Sequence, residues 1–186
     1  MHFRRLACFL LGAWLSGGLF MDMVATQNFR SVDRLLAKPA AAAAQQFEKL
    51  GPATARMLLR HAASEENRWY FETWGDVETG LGAALLLFLL FGSSETKFTL
   101  LLSLLMLLIV IVQRFALTPQ IVILGRAIDW IPASQDSPVR AHFWTLHFAY
   151  VGLEGVKLLL GLTLTARLLF RRRKSAGRSG EIHAID

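Results

Sequence analysis

The chain carries a single cysteine, Cys8, among its 186 residues. That excludes an intramolecular disulfide and a thiolate metal cage, and inside the first apolar segment Cys8 reads as a small packing residue. Also missing are the P-loop, GxSxG, HExxH and CxxC patterns on which phosphate binding, acyl transfer, zinc hydrolysis and thiol redox chemistry are commonly built. There is no internal repeat. Nucleic-acid binding calls for a concentrated basic face with stacking aromatics, and the body of the chain has none, although the net charge is +6. The excess sits at the ends: Arg4, Arg5, Arg167 and the tail from Arg171 to Asp186 account for all of it, and the middle balances. A balanced body between two basic ends follows the positive-inside rule, by which Lys and Arg stay cytoplasmic.

What the chain has in quantity is apolar surface. Hydrophobic residues make up 54% of it and the mean hydropathy is +0.41, well above the usual soluble mixture. The length suits one domain. After Arg4 and Arg5 comes LACFLLGAWLSGGLFMDMVA, too long an apolar run and too poor in small-x-small sites for a cleaved signal, so we read 6–28 as a first membrane span. Gly12 and Ser16, four apart, suit close approach of another helix. Asp22 lies about 25 Å along the axis from Arg5, near the outer interface.

The segment 30–73 is the longest polar stretch, and its Pro39 and Pro52 each favour a helix start, so it reads as amphipathic interfacial helices. Trp69, Tyr70 and Trp74 form an aromatic belt before a second span at 74–92, whose Gly80, Gly82, Ala83 and Ala84 are small packing residues. A short turn leads to a third span at 98–117, which Pro119 ends or kinks. Gln120 to Arg140 follows as an outer amphipathic helix and loop. The fourth span, 142–170, runs into Arg171, Arg172, Arg173 and Lys174, and 171–186 is a basic, flexible cytoplasmic tail. The expected fold is all-α, a four-helix integral membrane bundle with amphipathic interfacial helices and both termini cytoplasmic.

Three stretches carry a resemblance: LRHAASEENRWYFETWGDVETGLG, RFALTP at Arg114 to Pro119, and FWTLHFAYVGLEG. They resemble a bacterial family of uncharacterised four-helix membrane proteins, itself similar to the eukaryotic transmembrane-protein-205-like family. Phe143 and His147 match that family's aromatic–histidine start to the fourth helix, and Pro119 matches its third-helix proline. Small and Asn positions expected after the histidine are replaced here by Tyr150, Glu154 and Lys157. The resemblance implies a fold and a bacterial inner-membrane location, and no catalytic mechanism.

The candidate site is the stripe His147, Tyr150, Glu154 and Lys157. Spacings of 3, 4 and 3 put all four on one helix face, and ionisable groups at membrane depth face a protein interior or a watery cavity. Three roles fit it: structural glue through an i,i+3 Glu154–Lys157 pair, a proton or ion relay, or a ligand site in which His147 holds a metal centre such as haem or chlorophyll. A bis-histidine haem is disfavoured, because His2, His61, His142 and His183 are not mid-span on another helix. Met21 and Met23 around Asp22 are two thioethers, too few to complete a copper site, so no metal or cofactor is assigned. Arg114, level with Asp76 and Glu78, is expected to form an outer-interface ion pair with them, or else to snorkel.

No enzymatic activity is expected. The chain reads first as a non-enzymatic accessory or scaffold subunit in the bilayer, packing on other membrane subunits or on itself. The alternative is a small oligomeric transporter or channel-like protein moving an ion, metal or small solute past Glu154.

Overall fold

The computed structural model describes residues 2–92, 95–132 and 135–170; the basic tail expected at 171–186 lies outside the described residues. Among them every regular element is helical, and no strand occurs. Helix α1 spans His2–Ala37, α2 Ala41–Leu50 and α3 Pro52–Phe91; α4 spans Lys97–Val112, α5 Thr118–Ile128 and α6 Pro138–Phe170. A π-helical turn at Gln113–Leu117 joins α4 to α5.

Several boundaries differ from those expected, each for a local reason. With no proline before Pro39, α1 continues beyond 28 to Ala37. It stops there because the residue before a proline is disfavoured in α conformation. Only α2 is a separate element in the polar segment. Gly51, at φ 80°, makes the break that follows it, a conformation that favours glycine. Pro52 then opens α3 at a position where its missing N–H costs nothing, and no stop signal follows for 40 residues. The helix of the second span therefore begins at Pro52 and not near Trp74. At 1.5 Å per residue it is about 60 Å long, roughly twice the hydrocarbon thickness of a bilayer.

Pro119 does not end its helix. A proline lacks an N–H and its ring crowds the carbonyl four residues back. Here the chain widens first: the Thr118 N–H reaches back five residues to the Gln113 carbonyl, which also accepts from Thr118 Oγ1 at 2.8 Å. The run from Lys97 to Ile128 stays helical through this turn, so the outer amphipathic helix expected after Gln120 is the end of the same rod.

Three helices are long and apolar enough to cross a membrane: Phe3–Ala37, Pro52–Phe91 and Lys97–Ile128. The protein is a multi-pass membrane protein on that basis. Helix α6, of 33 residues, is not among the three. The outward surface agrees with lipid contact. Phe9, Phe20, Leu87, Phe91, Phe115, Ile123, Leu159 and Leu162 are all more than half exposed, which would be an aggregation hazard in water.

Helices α1 and α4 each pack on both α3 and α6. Long-range contacts make neighbours antiparallel: Phe3 meets Phe88, Asn28 bonds Asn67 at 2.7 Å, and Arg167 covers the Phe98 ring. The assembly is layered along its axis. Nearest the α1 N-terminus is an apolar tier of Ala7, Leu11, Trp14, Leu85, Leu89, Leu102, Met106, Val110, Leu164 and Leu168. Small residues let the rods close there: a Cβ on Gly82 would fall 2.8 Å from Trp14, and one on Gly161 2.6 Å from Leu15. The expected close approach at Gly12 does not occur, since a Cβ there meets nothing within 4 Å. Above this tier lies a polar one, and beyond it, where α3 meets α5, a network of ion pairs.

Candidate functional site

The polar tier forms where the inward face of each long helix changes from apolar to polar. On α3 the buried positions Gly75, Glu78, Gly82, Leu85 and Leu89 follow one helical face. Glu78 therefore points inward by the same register that buries the leucines. On α1 the buried run Leu11, Trp14 and Gly18 does the same, with the exposed Asp22 one turn further along, and on the third rod so do Met106, Val110 and Gln113. All four expected stripe residues of α6 turn inward, with Lys157 buried and His147, Tyr150 and Glu154 half-buried.

Lys157 is the centre. Its Nζ donates to Glu78 Oε1 at 2.6 Å and lies 2.8 Å from Glu154 Oε2. The Lys157 and Glu78 side chains are 3% and 2% exposed. Trp14 Nε1 donates to the same Glu78 oxygen at 2.9 Å. Gln113 Nε2 donates to Glu154 Oε2 at 3.0 Å and to the Tyr150 carbonyl at 3.1 Å, so the π turn presents the side chain that holds Glu154. Four rods thus contribute to one hydrogen-bonded cluster.

The cluster floors a cavity of about 610 Å³ lined from α1, α3, α5 and α6. Asp22, Glu78, Glu154 and Lys157 line it, together with Tyr150 and His147. Leu15, Leu19, Phe29, Phe71 and Val151 form apolar wall. Gly18 opens it toward the acids: a Cβ there would lie 3.5 Å from Glu154 Oε1. The Asp22 carboxylate lines the same space with no hydrogen bond or ion pair to another described residue.

Three carboxylates face one ammonium. Counted as ionised, the three carboxylates exceed the one ammonium by two negative charges. The arrangement can attract and hold a positively charged species.

Other expected sites fall into place or do not. The outer ion pair forms with one of its two acids: Arg114 Nε reaches Asp76 Oδ1 at 2.7 Å, past a Gly75 that leaves room for its stem. Glu78 does not join it, a correction to the sequence expectation; two residues on, it lies on the opposite, buried face. His147 stacks on Phe143 with ring centroids 5.7 Å apart and, among the described residues, belongs to no group of three metal-ligating side chains. Among the described residues, the one group of three His, Cys, Asp or Glu with metal-like spacing is His61, Glu65 and Asp129, at the far end of the molecule. Its carboxylates are already occupied: Arg68 bridges to Asp129 and Glu65, Arg126 makes two bonds to Glu65, and His61 Nδ1 lies 2.7 Å from Asp129. Two guanidiniums beside those oxygens oppose a cation, so this is an ion-pair clamp.

Sequence reasoning placed Asp22 and Glu78 at the interface and gave Trp14 and Gln113 no role. The signal that would have found them is register: each shares a face with the small and apolar residues of its own rod. Comparison with protein-family models, curated proteins and solved structures finds no match to this chain.

Proposed function

We propose that this protein is a four-span bundle in the bacterial inner membrane that binds a cationic solute in its polar tier and moves it past Glu154. The observation that carries this reading is that Glu78 and Glu154, from two rods, hold Lys157 at the floor of a 610 Å³ cavity that Asp22, from a third rod, also lines. A stripe on one helix serves glue as readily as passage; acids converging from three rods on a cavity are what a pathway requires.

The topology has support as well. At 33 residues α6 is long enough to span, and it packs against the most hydropathic rod, Lys97–Ile128. Arg4 donates to the Leu168 carbonyl, which brings the two basic ends to one face, as a cytoplasmic location for both asks.

The test is reconstitution into liposomes with current recorded on concentration jumps of inorganic and organic cations. Glu154→Gln should abolish the current and leave the protein folded, because Lys157 keeps its bond to Glu78. A stable Glu154→Gln variant with full current would end this reading. A second reading, an accessory subunit, rests on the exposed Gly12 and Gly152, where an added Cβ meets nothing within 4 Å; small residues on an outward face suit a docking helix. It predicts co-purification in a larger assembly and no current.

A further inference from the structure

Building on that functional reading, we infer that the cavity takes a lipophilic organic cation, with its charged group at Asp22 and Glu154 and its apolar body against α1 and α3. A bare metal ion fits the geometry poorly. Calcium is held by six to eight oxygens, whereas the three acids here do not bring ligand atoms within 4.8 Å of one another. Two of them are also spoken for by Lys157, at 2.6 and 2.8 Å. The cavity's 610 Å³ falls within the range that holds drug-sized molecules, about 300–1,000 Å³, and such sites pair apolar walls with a few placed polar groups.

The walls match that description. Leu15, Leu19, Phe29 and Phe71 line the space, and Phe71 meets Tyr150 edge to face at 6.1 Å. Aromatic faces in a desolvated site attract cations as well as apolar groups. The charge is supplied by the oxygens that the cluster leaves over. Asp22 has no hydrogen-bond or ion-pair partner among the described residues, and Glu154 uses Oε2 for both of its bonds, which leaves Oε1 beside Gly18. The lining sets three carboxylates against the one ammonium of Lys157, and that net negative charge favours a cation over a neutral molecule or an anion of the same shape.

The experiment is equilibrium binding of tetraphenylphosphonium to the full chain in nanodiscs, with triphenylphosphine oxide as the neutral control and sodium as the bare-cation competitor. Saturable tetraphenylphosphonium binding is expected, with no matching binding of the oxide and no competition by sodium. Asp22→Asn, at a residue that holds nothing else in place, should weaken it about tenfold or more, the effect of losing one charge-assisted contact. Gly155→Leu adds a second arm. Gly155 lines the cavity and a Cβ there meets nothing within 4 Å, so a leucine side chain starts in open space and should abolish binding, with its thermal unfolding midpoint measured alongside to show that the protein stays folded. Equal binding of the neutral oxide would overturn charge recognition. Absence of saturable binding, beside an inorganic-cation current that still needs Glu154, would overturn the organic class alone; absence of both would remove the functional reading with it.

Discussion

Two charged clusters stand at different levels of this molecule. Around Lys157, Asp22, Glu78 and Glu154 give three acids to one base, and the central pair is 3% and 2% exposed. At the far end, Glu65 and Asp129 face Arg68 and Arg126, with His61 alongside, and the exposures run from 8% to 58%. The outer cluster balances its charge, and water reaches it. It holds α5 to the projecting half of α3 and leaves nothing over for a ligand. The inner cluster is unbalanced, its central pair is buried, and it adjoins a cavity. Local charge balance, more than the number of ionisable groups, separates a clamp from a binding site.

The sharpest way to break this contrast is to remove the inner cation. Lys157→Met leaves Glu78 and Glu154 buried without their base, and stripping one partner from a buried pair costs about 3–5 kcal/mol. Unfolding in detergent should show that loss, and adding Glu78→Gln should recover much of it. Asp129→Ala comes next. It takes one of two acidic partners from a mostly buried Arg68 and removes the partner of His61 Nδ1, but Arg68 keeps Glu65 at 2.6 Å, so the loss should be about 1–3 kcal/mol. Equal losses in the two variants would erase the distinction between the clusters.

The smallest effect concerns pH at the outer clamp. The Arg126 and Arg68 guanidiniums beside Glu65 hold its carboxyl at about 2, against an ordinary 4.5. A depressed folded value means the stabilisation is fully present above pH 4.5 and is lost as pH falls toward 2. Glu65 is partly exposed, so solvent screening keeps the effect modest. The difference in thermal midpoint between the protein and Glu65→Gln should shrink steadily over that window. A difference that stays constant with pH would show that Glu65 acts through packing.

Much of this was legible beforehand. The apolar runs, the antiparallel hairpin of the second and third rods, and the inward stripe of α6 all follow from composition and helical period. Less legible were the ends of rods. Trp74 looked like a start because hydropathy rises there, yet a backbone in helix has no reason to stop where its surroundings change from water to lipid. Glu78 makes the same point: the nearest apolar run sets it beside Asp76, whereas the face it shares with Gly82 and Leu85 turns it inward. The π turn at Gln113 was hidden because only the space around Pro119 shows how the chain absorbs the missing hydrogen bond.

The sequence by itself determined that these segments are helices, that several are apolar enough for a bilayer, and which face of α6 carries ionisable groups, because period and composition are properties of one segment at a time. Tertiary structure alone decided that Lys157 meets Glu78 across 79 positions, that Glu154 answers to the π turn, and that Asp22 shares their cavity. Those facts depend on the rotation and depth of one rod against another. Gly17, Gly82 and Gly161 set both by how closely they let the large side chains Trp74, Trp14 and Leu15 approach.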